Sequence, residues 1–264
     1  MRLISAPVTA TGEIWPGVHL LRAQAPDIAA IARPGQYVMV RCGEGMEMPL
    51  RRPLSLHRIE GESLAFLFAV VGRGTEWLAG RKEGDGLDLF GPLGNGFDVY
   101  PSSRKLLLVA GGLGIAPLAA LAERSAAAGR SVTLLVGNKN AAVIYPTRLL
   151  PSGIRVVVAT EDGSLGRKGM ATDILPELLP ETDQVFACGP LPMYRKMAGM
   201  EELEGKRTQV LVEAVLGCGV GACLSCTIET KQGRKHVCKD GPAFELSDVL
   251  WDKAVAPPAG RRYS

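Results

Sequence analysis

Four of the six cysteines, Cys218, Cys223, Cys226 and Cys238, fall within 21 residues of a 264-residue sequence. Their spacing is x4, then x2, then eleven residues, which matches the plant-type [2Fe–2S] loop, where thiolates of one winding segment hold both irons. Glycines at 217, 219 and 221 allow positive φ angles and let backbone N–H groups approach sulfur. Residues 231–237 read as a hairpin that carries Cys238 back to the site. A structural zinc site also takes four cysteines, although zinc favours two knuckles of similar size. Residues 1–7 hold no sustained apolar region and no cleavage signal, so a disulfide framework is not expected in a chain of this length. Cys42 and Cys188 stand alone and read as small buried residues.

A second group has the residues for binding a dinucleotide. Val109-Ala110-Gly111-Gly112-Leu113-Gly114 reads as the end of a strand, a glycine turn and the start of a helix. Gly111, Gly112 and Gly114 would let a pyrophosphate approach backbone amides and the positive helix end. Pro117 stands where a strict G-x-G-x-x-G has its last glycine, so a tight connection without a ligand stays open. Cys188-Gly189-Pro190 closes a later strand. Ligands of open α/β sheets bind beyond the carboxyl ends of the strands, so both segments are expected at one crevice. Glu161-Asp162 follows another strand, where a carboxylate accepts from a ribose diol and disfavours a 2′-phosphate; a solvated turn capped by Ser164 is the alternative.

The third group is Arg52-Pro53-Leu54-Ser55. Arg52 supplies a guanidinium suited to a pyrophosphate, and Ser55 a hydroxyl suited to a flavin ring edge. Gly74-Thr75 opens a short helix and offers a second phosphate-sized turn. His57 reads as a strand histidine rather than a proton relay, and Trp77 as a packing residue.

These groups need three kinds of element to position them. Residues 1–102 read as β structure: short apolar runs at 37–40, 64–71 and 87–90 separated by Gly, Pro and charged turns, which suggests a sandwich or barrel. Residues 103–210 alternate, with strands at 106–110, 132–136, 154–158 and 184–187. Helices are expected at 116–128, 170–179 and 193–200, which together imply a parallel, doubly wound sheet. Residues 211–264 form a small cysteine-bearing unit, and the Pro-rich, basic stretch 254–264 is expected on the surface.

Composition removes other classes. A 47% hydrophobic, 22% charged chain is folded rather than disordered. Net charge +3 and 5% aromatics give neither the basic field nor the stacking surface of a nucleic-acid binder. The longest apolar stretch, 106–122, is interrupted by three glycines and a proline and falls short of the ~20 residues of a membrane helix. No membrane association and a cytoplasmic location are expected.

Taken in order, Arg-Pro-x-Ser, Gly-Gly-x-Gly and Cys-Gly-Pro resemble the ferredoxin reductase superfamily. With Gly74-Thr75-Glu76-Trp77-Leu78, the four-cysteine loop and Val237-Cys238-Lys239-Asp240-Gly241-Pro242, the whole chain resembles the electron-transfer subunits of type B dihydroorotate dehydrogenases. The resemblance implies an FAD-binding β-barrel, a nucleotide domain taking NAD and a [2Fe–2S] domain. The implied ligands are Arg52, Pro53, Leu54, Ser55, Gly74 and Thr75 for FAD, and Gly111, Gly112, Gly114, Cys188, Gly189 and Pro190 for the nucleotide. Cys218, Cys223, Cys226 and Cys238 would hold the cluster. It further implies a separate FMN-containing catalytic subunit, in a heterotetramer with two of each chain, and electron flow from dihydroorotate oxidation to NAD+. No acid–base or nucleophilic residue is required of this chain. Reductases serving ferredoxin, sulfur or hydrogenase partners share the scaffold. Residues 66–70 lack the Tyr-Arg pair expected there, and a cluster-bearing regulatory module without nucleotide binding is the non-enzymatic alternative.

Overall fold

The computed structural model describes residues 1–43, 45 and 48–255; the stretch 256–264, expected above on the surface, lies outside them. The first unit contains β1 (Arg2–Trp15), β2 (Val18–Gln24), α1 (Pro26–Ala29), β3 (Tyr37–Val40), β4 (Arg52–Ser55), β5 (Arg58–Glu60), β6 (Ser63–Ala69), α2 (Arg73–Ala79) and β7 (Gly86–Leu93). The seven strands form one antiparallel sheet in the order β4-β3-β7-β1-β2-β6-β5. It curls around a core that includes Leu21, Val38, Val40, Leu54, Phe66, Leu87 and Leu89. Its longest strand, β1, alternates Ile4, Ala6 and Val8 towards that core, while most of its other side chains are exposed or half-buried. This inward set is short and Pro7 lies within it, and the second half of the strand is exposed or half-buried, so no long apolar run marks it.

The second unit contains β8 (Lys105–Gly111), α3 (Ile115–Ala127), β9 (Ser131–Asn138), β10 (Arg155–Thr160), β11 (Arg167–Lys168), α4 (Ala171–Leu178), β12 (Gln184–Cys188), α5 (Leu191–Ala198) and β13 (Thr208–Leu211). Its sheet runs β11-β10-β9-β8-β12-β13 with every pairing parallel. Strand β8 is buried on both faces, which explains its unbroken apolar sequence. Leu106, Leu108 and Ala110 meet α3, while Leu107 and Val109 meet α4 and α5. The sheet order reverses around β8, and such switch points are where open α/β sheets bind ligands. Helix α5 starts two residues before the expected position because Pro190 precedes it and Pro192 sits in its first turn, where a missing N–H costs nothing.

The third unit contains β14 (Thr227–Thr230), β15 (Gly233–His236), α6 (Val237–Asp240) and β16 (Ala243–Glu245). β14 and β15 form the expected hairpin. β16 pairs antiparallel with β13 and extends the nucleotide sheet. The barrel reaches both faces of that sheet: Val18 and Leu67 join the α3 side, while Tyr37, Met39 and Leu93 join Cys226, Cys238 and Trp251 on the α4/α5 side. Among the described residues, no helix is long and apolar enough to cross a membrane.

Candidate functional site

Strand β4 is an edge of the barrel sheet, so its residues face a neighbour on one side only. Its ladder to β3 pairs Ser55 with Tyr37, Leu54 with Val38, Pro53 with Met39 and Arg52 with Val40. Alternation therefore turns Leu54 into the barrel core and puts Pro53 and Ser55 on the face of Tyr37 and Met39. Arg52 belongs to the opposite face from Ser55. A compact ligand would not meet both, whereas an extended one crossing the β4 edge can. Pro53 and Ser55 thus form a ledge on the Tyr37 face, to which Leu54, in the barrel core, adds no side-chain contact.

Arg52 lies against the start of α2 and donates to the Leu50 carbonyl. A Cβ placed on Gly74 would fall 2.7 Å from Arg52 Nε, so only glycine leaves the guanidinium and the opening turn of α2 together. Thr75 shapes that turn: its Oγ1 accepts from the Val71 and Gly72 amides at 2.9 and 3.2 Å and donates to the Gly72 carbonyl. A cationic side chain beside helix-start amides is a cradle for a phosphate, which fits the pyrophosphate of a flavin dinucleotide.

The nucleotide crevice is a cavity of about 650 Å3 at the carboxyl ends of the parallel strands. The structure brings Gly111, Gly112, Gly114, Gly189 and Pro190 to its wall. A Cβ on Gly114 would sit 1.8 Å from the Cys188 carbonyl oxygen, and one on Gly111 2.8 Å from Pro190 Cδ. The two loops touch through missing side chains, and Gly112 adopts φ +57°. Tyr194 fixes the second loop, accepting from the Gly189 amide at 2.9 Å and donating to the Leu211 carbonyl at 2.6 Å. Cys188 itself is buried, and burial pushes its thiol well above the ordinary range; a group so held is a packing residue rather than a nucleophile.

Of the two acidic candidates, Glu161 lines the cavity, whereas Asp162 caps its own turn, accepting from Ser164 N and Oγ at 2.9 and 2.6 Å. Arg167 is engaged by both carboxylate oxygens of Glu177. One cavity residue has no mark in the sequence. Glu213, just past β13, lines both this cavity and an adjoining groove of about 510 Å3. Solvent reaches it through the open cavity, yet the surrounding protein desolvates the carboxyl and raises its pKa. Only the sheet order brings it beside Gly189.

His57 joins the barrel to the nucleotide unit. Its Nδ1 lies 2.9 Å from the Ala116 carbonyl, so Nδ1 must donate, and Nε2 accepts from the Tyr145 hydroxyl at 3.0 Å. Burial lowers its pKa to about 4, which fixes the neutral tautomer. Arg58 adds an ion pair with Glu123 at 3.1 Å.

The cysteine loop winds through positive φ at Gly219, Gly221 and Leu224. Cys218 Sγ accepts from the amides of Val220, Ala222 and Cys223 at 3.3–3.4 Å, and these N–H groups lower its pKa to about 6. Cys223 is exposed, and the Ser225 hydroxyl at 3.2 Å lowers its thiol. Cys226 and Cys238 are buried; Cys238 Sγ accepts from the Gly221 amide at 3.1 Å, while burial and the Cys226 thiol push it up to about 12. Backbone bonds tie the cysteines in two pairs: the Cys223 amide donates to Cys218 Sγ at 3.4 Å and the Cys238 amide to Cys226 Sγ at 3.5 Å. Among the described residues, no three His, Cys, Asp or Glu side chains converge on a single-ion position. Two thiol pairs under a net of amide donors suit two irons with bridging sulfide better than one tetrahedral zinc. Val215, Val220 and Leu224 are exposed around this loop.

A family model described as the iron-sulfur cluster binding domain of dihydroorotate dehydrogenase B matches residues 213–250. The chain is similar to the dihydroorotate dehydrogenase B (NAD(+)) electron transfer subunit of Desulforamulus reducens, with 36% identity over 95% of this chain and 99% of that one. Against the subunit of the same name from Clostridium acetobutylicum, identity is 38% over 83% of this chain and 86% of that one. Among solved structures, the NADH-dependent reduced ferredoxin-NADP oxidoreductase, studied for flavin-based electron bifurcation, superposes with TM-score 0.84 at 30% identity, over 94% of this chain and 90% of that one. The ferredoxin reductase of carbazole 1,9a-dioxygenase shares the fold, with TM-score 0.65 and 24% identity, over 78% of this chain and 66% of that one.

Proposed function

The chain belongs to the family of dihydroorotate dehydrogenase B electron transfer subunits, and from that premise we propose that it relays electrons from dihydroorotate oxidation in a partner catalytic subunit to NAD+. The observation that carries the proposal is one chain holding a two-pair cysteine loop, a phosphate cradle on a barrel and a glycine-walled crevice. FAD and a [2Fe–2S] cluster, when bound, supply the interchange between two-electron nicotinamide chemistry and one-electron transfer. The protein's share is binding, orientation and exclusion. Arg52, Gly74 and Thr75 hold the flavin dinucleotide's phosphates, with Pro53 and Ser55 on the ledge across the β4 edge. Gly111, Gly112, Gly114, Gly189 and Pro190 let the nicotinamide dinucleotide approach backbone. Cys188 packs beneath the Gly189 turn, and Cys218, Cys223, Cys226 and Cys238 hold the cluster under amide donors that favour thiolate. We place the divisions between the three units near residues 102 and 210.

An electron transfer subunit works with a catalytic subunit. We propose that this partner carries FMN, that two of each chain assemble, and that the exposed Val215, Val220 and Leu224 face it. An apolar patch beside the cysteine loop supports this docking side. The test is reconstitution with a type B catalytic subunit. The isolated chain should oxidise NADH with dye acceptors and leave dihydroorotate untouched; the reconstituted complex should reduce NAD+ with dihydroorotate. Failure with that subunit and success with ferredoxin would instead favour the second reading, a ferredoxin-linked reductase, which the TM-score of 0.84 to the ferredoxin-NADP oxidoreductase supports.

A further inference from the structure

Two barrel residues, Tyr37 and Asn95, end on the cysteine segment. Tyr37 lies opposite Leu93 in the β3–β7 ladder and opposite Ser55 in the β3–β4 ladder. Its ring is buried, and its hydroxyl is 3.3 Å from the Cys238 carbonyl and 3.4 Å from the Gly219 carbonyl. These are long bonds individually, but they reach both arms of the cysteine set at once. Asn95, two residues past β7, makes the stronger attachment. Its backbone N–H donates to the Gly241 carbonyl at 2.7 Å. Its Nδ2 donates to the carbonyls of Ala243 and Asp240 at 2.9 and 3.1 Å, and its Oδ1 accepts from the Ala243 amide at 3.1 Å.

The backbones close in around these bonds. A Cβ on Gly94 would meet Pro242 Cδ at 2.4 Å, and one on Gly219 would meet Met39 Cγ at 3.0 Å. Tyr37 and Ser55 are cross-strand partners on one face, so the side of the sheet that carries the flavin ledge also carries the cysteine loop. The barrel grips the nucleotide unit elsewhere, through His57, Tyr145, Arg58 and Glu123. The two attachments share no residue.

We infer that Tyr37 and Asn95 are positioning residues that lock the flavin ledge and the four-cysteine loop into one rigid unit, fixing the separation and orientation across which an electron passes. This inference rests on the relay reading. Both act by holding carbonyls of the segment that carries the thiolates. Rigidity matters because a fixed donor–acceptor geometry avoids a search at every electron-transfer event.

The experiment uses the full chain, purified anaerobically with its cofactors, as wild type, Tyr37→Phe, Asn95→Asp and the double variant. Iron, sulfide and FAD contents and NADH–dye turnover should match wild type in all four. Amide exchange over residues 237–243 should accelerate by about tenfold in the double variant, because local opening loses the bonds that oppose it. In stopped flow, the NADH-to-FAD phase should be unchanged, while the later FAD-to-cluster phase slows by about tenfold, with a broadened electron paramagnetic resonance line. If the double variant loses its cluster, Tyr37→Phe, which removes one oxygen atom, is read instead and should show the same effects at smaller size. Wild-type exchange, or faster exchange with an unchanged cluster phase, would overturn the inference. If wild-type protein shows no NADH-driven cluster reduction at all, the relay reading fails, and the exchange result alone decides whether the clamp exists.

Discussion

Replacing Gly114 with alanine isolates the contact between the two nucleotide loops. Gly114 has φ −58°, which alanine adopts without strain, so any effect is steric. The new Cβ would lie 1.8 Å from the Cys188 carbonyl oxygen and 2.4 Å from its carbon. Ordinary van der Waals contact begins near 3.4 Å, so the loops must part by about 1.6 Å, and both contacting groups are backbone. Overpacking of this kind costs about 1–3 kcal/mol of stability. The greater effect falls on function, since a displacement of about 1 Å near a reacting centre costs on the order of a hundredfold in rate. NADH–dye kinetics should show kcat/KM reduced by about that factor, with FAD and iron contents unchanged. Gly112→Ala is the internal control. Its Cβ would meet nothing within 4 Å, and only φ +57° opposes it, a cost of about 1 kcal/mol. If Gly114→Ala retained wild-type kcat/KM, or if Gly112→Ala were the more damaging change, the loops would not form the nicotinamide crevice.

Cys223→Ser should abolish the cluster and leave FAD bound, as read from iron, acid-labile sulfide and flavin analysis; retention of both iron and sulfide would remove Cys223 from the ligand set. NADH should be preferred over NADPH by about tenfold or more, because Glu161 lines the crevice while Arg167 is engaged by Glu177. Glu161→Gln should narrow the ratio, and equal efficiencies in wild type would refute the assignment. His57 should make stability pH-dependent. Its folded pKa is about 4 against an ordinary 6.5, so below pH 6.5 the unfolded chain binds a proton that the folded chain refuses. Its contribution is fully present above pH 6.5 and lost as pH falls towards 4, by about 3 kcal/mol in total. Urea unfolding of wild type and His57→Asn at pH 7.5 and 5 should show that the variant lacks this share of the slope; identical slopes would contradict it.

The parts legible in the sequence were those whose chemistry is local. The x4–x2 cysteine spacing and the glycine turn at 111–114 are short-range patterns, and their positive-φ glycines at 112, 219 and 221 are needed by the loops themselves. Strand β8 announced itself because both of its faces are buried. Strand β1 did not, because its inward set of Ile4, Ala6 and Val8 is short and the rest of the strand is mostly exposed or half-buried. The pairing of Arg52 with Ser55 was legible only as proximity in the chain; the β3–β4 register assigns them to different faces. Glu213, Tyr145, Tyr37 and Asn95 were silent for a common reason. Tyr37 meets a carbonyl 201 residues away, Asn95 meets Ala243 148 residues away and Tyr145 meets His57 across 88 residues. Such contacts follow from sheet order and domain packing, which no local pattern encodes.

One chain connecting a nicotinamide, a flavin and a two-iron cluster is what the relay requires. The most direct test is anaerobic reduction of the purified chain by NADH, followed by flavin absorbance and low-temperature electron paramagnetic resonance, with iron and sulfide assayed on the same sample. A working relay gives about two irons and two sulfides per chain, loss of flavin absorbance, and a signal from a reduced [2Fe–2S] centre that appears after it. Stoichiometric zinc without labile sulfide, or flavin reduction with no electron reaching the cluster, would contradict it.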